Sequence, residues 1–571
     1  MYKPAGHLFS FLFLLPISFS IRAQGFPEAY HYKMVKSIDC KHGAVVSAHP
    51  LASQAGLKML YAGGNAVDAA IATQLALAVV YPGAGNIGGG GFLVASLSGG
   101  KMVAIDFREK APLGAKKDMY LNAQGNPVPG LSENGHMASG VPGTIAGIFA
   151  ALKYAKLPIQ KLIAPAIALA KFGFVITASE ARNLNGTEQE FRKYNSVLPA
   201  FVKPGGWKAG DTLYQKDLAR TLERIRDFGI KGFYEGETAR LIVEEMKRGH
   251  GIINYDDLKT YTAKERVPVQ FTYKDIYTVI TMPLPSSGGV ILPQMMKMVE
   301  NKPLASYGFE TVKSVHLMTE VERLAYADRA SWLGDQDFFK IPVKTLTSES
   351  YLAERMKLIN PDSAGNSLMI AAGKISNPES EETTHFDVYD KDGNSVAVTT
   401  TLNGGYGSRT VVAGGGFLLN NEMDDFSIKP GVPNMYGAVG GEANAIVPEK
   451  RMLSSMTPTI VLRNGQPFII VGTPGGTTIT TSVFQTLVDL LEFNMTPQDA
   501  VNKPKFHHQW LPDVLFVEKG FPETVLEDLE KIGYKTKIRE AIGRTELIVV
   551  HSPGHITAVA DKRGDDTAAG Y

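Results

Sequence analysis

The chain has 571 residues, a formal net charge of +1, 44% hydrophobic residues and 20% charged residues. This length is sufficient for several domains, and the hydrophobic fraction is typical of a globular protein with a large core. Because the net charge is so close to zero, the composition gives no reason to expect binding to nucleic acid or to an anionic membrane surface.

The chain begins with an apolar run typical of a secretory signal. Lys3 precedes LFSFLFLLPISFSI, which has about the length of a signal-peptide core and is too short to span a membrane. Ala23 and Gln24 are small and polar residues of the kind found at cleavage sites, so we predict a signal peptide over residues 1–24. A retained amino-terminal anchor is the alternative. The mature chain is then expected to be periplasmic or secreted.

Cysteine and histidine show no metal-binding pattern. Cys40 is the only cysteine, so no disulfide can form within the chain, and no neighbour would lower the pKa of its thiol. The sequence has no H-E-x-x-H motif and no cysteine pair, so His385, His507 and His508 lack ligand spacing. We therefore predict no metal site and no catalytic thiol, and we expect His385 to support a loop.

The stretch GGNAVDAAIATQLALAVVYP predicts a buried helix, with Asn65 as its amino-terminal cap and Asp68 in its first turn. A glycine loop and two strands follow. The loop contains GAGNIG, Gly83 to Gly88, which has G-x-G-x-x-G spacing. A dinucleotide-binding fingerprint requires the strand before the glycines and the helix after them. The reversed order argues against a nucleotide site.

The rest of the chain alternates between blocks of helices and strands. Apolar spacing predicts mostly helices over residues 140–249, strands over 261–283 and an amphipathic helix over 312–335. The polar stretch MIAAGKISNPESEE is a candidate connector. Strands dominate after residue 383, in VAVTTTL, GFLLN and TPTIVLRNGQPFIIVGTPGG, and the helix TSVFQTLVDLLEF follows them. This order predicts helices layered outside stacked sheets.

A threonine stands where a polar stretch meets a hairpin, in PESEETTHFDVYDKDGNSVAVTTTLN. FDVYD and SVAVTTTL are rich in β-formers, and KDGN between them predicts a tight turn. A threonine hydroxyl needs a base, and the threonine's own α-amino group, of pKa about 7.7–8.0, can serve only at a chain terminus. A nucleophile at Thr383 therefore requires cleavage of the preceding bond. From these residues alone, an ordinary polar loop before a hairpin remains the alternative.

Several longer motifs resemble the γ-glutamyltranspeptidases, which are amino-terminal-nucleophile hydrolases that split themselves into two subunits. They are TTHFDVYDKDGNSVAVTTTLN, LLNNEMDDFSIKPGVPNMYGAVGG, LSSMTPTIV and GTPGG, with GGNAVDAA, GNIGGGGF, AIDFREKAP and PSSGGV earlier in the chain. The resemblance covers essentially the whole mature chain. It implies cleavage between Glu382 and Thr383, which gives a large subunit of residues 25–382 and a small subunit of residues 383–571. It also implies an α+β fold, the four-layer αββα sandwich built from both subunits.

The resemblance also implies roles for single residues. Thr383 matches the nucleophile, and Thr401 matches a second threonine whose hydroxyl contacts the nucleophile's amine. Gly475 and Gly476 match the oxyanion hole, where successive N–H groups meet one oxygen. Departures from the family pattern, such as Phe386, leave these groups in place.

The substrate-binding residues that the resemblance implies suit a free amino-acid end. Arg108 matches the arginine that pairs with the α-carboxylate of a glutamyl donor, since a guanidinium fork fits a carboxylate. Hydroxyl donors to the same carboxylate and acceptors for the α-ammonium complete the set: Ser454, Ser455, Asn403, Glu422 and Asp425. Residues 427–441 match a lid loop, with Tyr436 as its gating aromatic.

The implied reaction is acyl transfer without a cofactor. The γ-glutamyl group of glutathione or a related donor would pass through a threonyl acyl-enzyme to water, an amino acid or a peptide, and the two subunits would form a heterodimer. Two alternatives stay open. One is a related acylase acting on β-lactam side chains, which does not need the full set for an α-ammonium and an α-carboxylate. The other is an uncleaved, non-catalytic binding protein, which one full-length band on a denaturing gel would support.

Overall fold

The computed structural model of the chain describes residues 32–370, 383–429 and 441–571. The predicted signal peptide, the connector residues 371–382 with Glu382, and Tyr436 lie outside these residues.

The strands are β1 (Ser37–Cys40), β2 (Ala44–Ser47), β3 (Gly90–Ser96), β4 (Met102–Asp106), β5 (Phe174–Val175), β6 (Thr212–Leu213), β7 (Lys264–Arg266), β8 (Val269–Tyr273), β9 (Tyr277–Thr281), β10 (Thr384–Tyr389), β11 (Ser395–Thr401), β12 (Thr459–Arg463), β13 (Gln466–Gly472), β14 (Phe506–His507), β15 (Leu515–Glu518), β16 (Thr536–Arg539), β17 (Glu546–Ser552), β18 (His555–Val559) and β19 (Thr567–Gly570).

The helices occupy four main blocks of the chain. They are α1 (Pro50–Tyr61), α2 (Ala66–Val80), α3 (Thr144–Ala151), α4 (Ile159–Phe172), α5 (Ala178–Tyr194), α6 (Lys216–Phe228), α7 (Lys231–Tyr234), α8 (Gly236–Arg248), α9 (Tyr255–Thr260), α10 (Gly288–Val299), α11 (Leu304–Tyr307), α12 (Val312–Trp332), α13 (Val343–Leu346), α14 (Glu349–Met356), α15 (Thr478–Leu491), α16 (Pro497–Asn502) and α17 (Glu523–Lys531). Within the described ranges, no helix is both long and apolar enough to cross a membrane.

Two seven-stranded antiparallel sheets form the centre of the fold. Sheet I has the strand order β1-β18-β17-β13-β12-β9-β8, and sheet II has the order β19-β2-β10-β11-β3-β4-β7. The hairpin predicted after the polar stretch is present as β10 and β11, with Thr384 opposite Thr400. It lies in the middle of sheet II, between β2 and β3.

Successive side chains of a strand point to opposite faces of its sheet. The side chains of the two sheets therefore divide among three cores, one between the sheets and one on each outer face. Val46 of β2 and Ile460 of β12 belong to the core between the two sheets. Their neighbours point the other way: Val45 packs in the core with α1, α2 and α4, and Val461 packs in the core with α10, α12 and α15. Helices therefore cover the outer face of each sheet, which confirms the predicted four-layer αββα sandwich.

The buried helix predicted before the glycine loop is α2. The side chain of Asn65 accepts hydrogen bonds from the N–H groups of Val67 and Asp68, and the Asp68 carboxylate accepts one from Asn65 N at 2.7 Å. This capping box satisfies the free N–H groups of the first turn.

The glycine loop then leads from α2 into β3, so the order is helix, loop and strand as expected. A Cβ on Gly89 would lie 2.0 Å from the carbonyl oxygen of Thr401, so this glycine permits close packing against the end of β11.

The prediction of a strand at GFLLN is wrong. Residues 416–420 make one isolated bridge, between Leu418 and Val411, because β11 already has β10 and β3 on its two sides. Their hydrogen bonds go to loops: Leu419 N–H donates to Thr410, and Asn420 N–H donates to the carbonyl of Gly88. The segment is a loop that leads to residues 422–425.

Histidine and cysteine make structural contacts. Within β10, His385 contacts Asp387 Oδ1 through Nε2 and Thr399 Oγ1 through Nδ1, each at 2.9 Å, so it supports the hairpin. Cys40 is free, and burial raises the pKa of its thiol to about 11, which keeps the thiol protonated at neutral pH. In the described part of the chain, no cluster of three or more His, Cys, Asp or Glu side chains is placed to hold a metal ion.

Candidate active site

Thr383 lies at the amino end of β10 and is 8% exposed. The register that places Thr384 opposite Thr400 brings it beside Thr401, the last residue of β11. Both threonines line the same small cavity. The hydroxyl of Thr401 accepts a hydrogen bond from Asn403 N–H at 2.7 Å, so the backbone after the strand fixes its orientation.

The cavity has a volume of about 20 Å³ and collects residues from six segments of the chain. Residues that the sequence predicts at the site make up most of its lining: Arg108, Thr383, Thr401, Asn403, Glu422, Asp425, Ser454, Ser455 and Gly476. Met456 and Ile479 complete the lining. Of the other predicted residues, Gly475 precedes Gly476 but does not belong to this lining among the described residues, and Glu382 and Tyr436 lie outside the described ranges.

The guanidinium of Arg108 lines this cavity and pairs with buried carboxylates. Its Nη1 donates to Glu422 Oε1 and its Nη2 donates to Asp425 Oδ2, and a third carboxylate, Glu109 Oε2, lies 3.6 Å from Nη1. Nη2 also donates to the carbonyl oxygen of Leu453 at 3.1 Å. Glu422 Oε2 and Asp425 Oδ1 are buried and have no hydrogen-bond partner among the residues that the structure describes. The cavity therefore combines one buried cation with carboxylate oxygens that can accept further hydrogen bonds.

Burial and charge act in opposite directions on these groups. Burial alone would lower the pKa of the Arg108 guanidinium, but the charges of Glu422, Asp425 and Glu109 outweigh it and raise that pKa. Burial raises the pKa of Glu109 to about 7 although Arg108 opposes it, and burial likewise raises the pKa of Glu422 and Asp425. Arg108 thus faces three carboxyl groups, and Arg329 is also close to Asp425; a further cation in the cavity would favour the ionised form of these groups.

Gly475 and Gly476 form a turn between β13 and the amino end of α15. Gly475 has φ 133° and Gly476 has φ 57°, both in the region that favours glycine. A Cβ on Gly475 would also lie 2.4 Å from Thr478 Oγ1. The carbonyl oxygens of the two glycines accept hydrogen bonds from the N–H groups of Thr478 and Ile479, which begin the helix. The turn thus places the positive end of the α15 dipole next to the cavity of Thr383.

Thr383 also lines a second and larger cavity, of about 460 Å³. Its other walls come from the end of α2, from α5 and from the loop after β11, and they include Tyr81, Arg182, Tyr406 and Arg409. The threonine therefore lies where a small charged cavity and a larger cavity meet.

Residues 52–571 match the family model described as gamma-glutamyltranspeptidase. The chain belongs to the γ-glutamyltranspeptidase family. This confirms the resemblance that the sequence motifs indicated, and it agrees with the arrangement of the site around Thr383.

Proteins similar to this γ-glutamyltranspeptidase family member include a glutathione hydrolase and two acylases. It is 45% identical over 538 residues to a glutathione hydrolase proenzyme of Escherichia coli strain K12, and the match covers 94% of this chain and 93% of that protein. It is 34% identical to the acylase ACY 1 proenzyme of Pseudomonas sp. strain SE83, over 92% of this chain and 93% of the acylase. The crystal structure of a cephalosporin acylase from Bacillus halodurans shares the fold, with a TM-score of 0.82 and 25% identity over 96% of this chain and 99% of that one.

Three residues at the site of this γ-glutamyltranspeptidase family member were not predicted from sequence: Glu109, Met456 and Ile479. Glu109 is fully buried beside Arg108 and belongs to the same charge cluster. AIDFREKAP gave no signal for this role, because the burial that forces an acidic residue to be paired or neutral is seen only in the structure.

Proposed function

We propose that this chain is an autoprocessing γ-glutamyl acyltransferase and hydrolase that acts on glutathione and related γ-glutamyl donors. The observation that carries the proposal is the cavity in which Thr383 adjoins one buried arginine and buried carboxylate oxygens that can accept hydrogen bonds. A free amino-acid end carries one carboxylate and one ammonium. Its carboxylate suits Arg108, Ser454 and Ser455, and its ammonium suits Glu422, Asp425 and Asn403.

The cavity is small because Arg108 already pairs with Glu422 and Asp425 across it. A donor can bind only if its own charges replace these ion pairs. A zwitterion can do so without leaving a buried charge unpaired, because its ammonium replaces the guanidinium at the acids while its carboxylate takes the guanidinium. A donor with only one of the two charges would leave an uncompensated charge in the cavity, at a large desolvation cost.

Self-cleavage supplies the base for the reaction. The hydroxyl of Thr383 attacks the carbonyl of Glu382, the peptide nitrogen leaves as the amine of Thr383, and water hydrolyses the resulting ester. The new α-amine can then take the proton of the Thr383 hydroxyl as that oxygen attacks the γ-carbonyl of a donor. The N–H groups of Gly475 and Gly476 would stabilise the tetrahedral oxyanion. The Thr383 α-ammonium then passes this proton to the donor's amide nitrogen, which leaves as a neutral amine, and water or an acceptor amine takes the glutamyl group from the threonine.

The larger cavity suits the other half of the reaction. The glutamyl part of a donor would occupy the charged cavity, and the leaving amine and the acceptor would occupy the cavity of about 460 Å³.

We also propose that the chain is exported on its apolar amino-terminal run, and that residues 427–441 with Tyr436 act as a lid over the site.

Thr401→Ala is expected to lower kcat in fully processed protein. The Thr401 hydroxyl accepts a hydrogen bond from Asn403 N–H at 2.7 Å, and in the proposed mechanism it orients the α-amine of Thr383. General-base catalysis contributes about 10²–10⁴-fold, and a misoriented amine should lose part of that factor. Thr401→Ser keeps the hydroxyl and should retain most of the activity. Wild-type kcat in processed Thr401→Ala would show that the amine does not depend on this hydroxyl.

Product analysis with glutathione tests the proposed function directly. Purified, processed protein incubated with glutathione alone should release glutamate and cysteinylglycine in equal amounts. With a dipeptide acceptor added, part of the glutamate should be replaced by the γ-glutamyl dipeptide, because an amine competes with water for the acyl-enzyme. If neither product forms, while an amide of a β-lactam side chain is hydrolysed, the acylase alternative is correct.

A further inference from the structure

The motif PSSGGV belongs to the family resemblance, yet none of its residues lines the cavity of Thr383 among the residues described. Its serines lie just before α10. Ser287 N–H donates to the carbonyl of Ser454 at 2.6 Å, and Ser454 N–H donates to the carbonyl of Pro285 at 2.8 Å. Ser286 Oγ donates to the carbonyl of Met456 at 2.7 Å. Residues 285–287 are thus hydrogen-bonded along the length of residues 454–456, the segment that carries the predicted carboxylate-binding serines.

The two glycines of the motif make this close approach possible. A Cβ on Gly288 would lie 2.3 Å from Thr457 Oγ1, and a Cβ on Gly289 would lie 2.5 Å from the carbonyl oxygen of Met282. A larger residue at Gly288 would push the start of α10 away from the serine segment, and one at Gly289 would collide with the backbone that leads into the helix.

A buried arginine ties the two segments together. Arg329 of α12 is 2% exposed, and its Nε donates to Ser287 Oγ at 2.9 Å while its Nη2 donates to Ser455 Oγ at 3.1 Å. A guanidinium has no acceptor atom, so Ser455 Oγ must be the acceptor in this contact and its own O–H must point elsewhere. The arginine therefore fixes the direction of a hydroxyl that faces the cavity.

We propose that Arg329 and the Pro285–Ser287 segment form a brace that positions Ser455 to donate its hydroxyl to the α-carboxylate of a γ-glutamyl donor. This inference rests on the proposed function, in which Ser454 and Ser455 bind that carboxylate. Arg329 acts through Ser455 and is a positioning residue. It also adds a second buried cation close to Arg108 and Asp425, which favours an anionic group at this end of the cavity. Burial lowers the pKa of Arg329 to about 10, so the side chain stays charged at neutral pH.

The test compares two donors, γ-glutamyl p-nitroanilide and its α-carboxamide analogue, in processed protein. Arg329→Met should lower kcat/KM for the free acid about 10-fold or more, chiefly through KM, because a hydrogen bond to a charged group is weakened. The carboxamide donor should be little affected, so the preference for the free acid shrinks. Ser287→Ala, a milder change that removes one acceptor of Arg329, should reduce the same preference by a smaller factor.

Two further variants separate positioning from general destabilisation. Arg323 lies on the same helix and is equally buried, but it pairs with Glu320 and Asp513. Arg323→Met should therefore lower thermal stability without changing the ratio of the two donors. In a Ser455→Ala background, Arg329→Met should add little to the loss, because the brace acts through that hydroxyl.

The outcomes distinguish the brace from the proposed function. A wild-type enzyme without preference for the free acid would overturn the carboxylate assignment and the brace together. A wild-type preference that survives Arg329→Met, or an Arg329→Met effect that is the same for both donors, would overturn the brace alone.

Discussion

Thr383→Ala is expected to purify as one full-length chain without measurable γ-glutamyl transfer. Self-cleavage and turnover use the same hydroxyl, so its removal abolishes both the formation of the amine and the acyl-enzyme. Loss of a catalytic nucleophile costs on the order of 10⁶-fold in kcat. A denaturing gel and an assay with glutathione check both parts, and Thr383→Ser, which keeps a hydroxyl, should still process and retain activity.

The neighbouring threonine offers a matched control for this experiment. Thr384 is 1% exposed in β10, and its Oγ1 has no hydrogen-bond partner among the described residues, so Thr384→Val should fold normally. This variant should split into two chains and remain active. If Thr383→Ala still split at the same bond, or if Thr384→Val alone blocked cleavage, another residue would be the nucleophile.

Arg108→Ala is expected to lower kcat/KM for a γ-glutamyl donor about 30- to several-thousand-fold. The loss corresponds to the roughly 2–5 kcal/mol typical of removing one partner of a buried charge pair. Arg108→Lys keeps the charge but not the planar fork, so its loss should be smaller. Both variants should still process, because self-cleavage involves no free α-carboxylate.

Stability and donor chemistry provide the controls for Arg108. Without its guanidinium, Glu109, Glu422 and Asp425 remain buried without their cation, so a lower melting temperature of Arg108→Ala is expected and must be measured separately. A donor with an amidated α-carboxylate should be poor for the wild type and almost indifferent to Arg108→Ala. If the wild type turned over the amidated donor as well as the free acid, the arginine would not bind that carboxylate.

Local patterns predicted the elements near the site well. The capping box of Asn65 and Asp68, the hairpin after Thr383 and the helix at Thr478–Leu491 all follow from residues close together in the sequence. The strand expected at GFLLN failed because β11 has neighbours on both sides, and this depends on the order of strands in the sheet rather than on the segment itself.

The site itself depends on contacts between distant residues. Arg108 and Glu422 are 314 positions apart, and no periodicity or composition brings them together. The resemblance to a family assigned both residues to one substrate pocket by matching whole motifs, but it did not predict their ion pair. It did not supply Glu109 or the contact of Arg329 with Ser455, since a matched motif carries over assigned roles but does not describe what packs behind them.

The amino-terminal sequence of the smaller chain tests the central claim most directly. It should be read from protein that has been shown to release glutamate from glutathione. We expect two chains, with the smaller one beginning Thr-Thr-His-Phe at Thr383. Activity in an uncleaved chain, or a smaller chain that begins at any other residue, would contradict the assignment of Thr383 as an amino-terminal nucleophile.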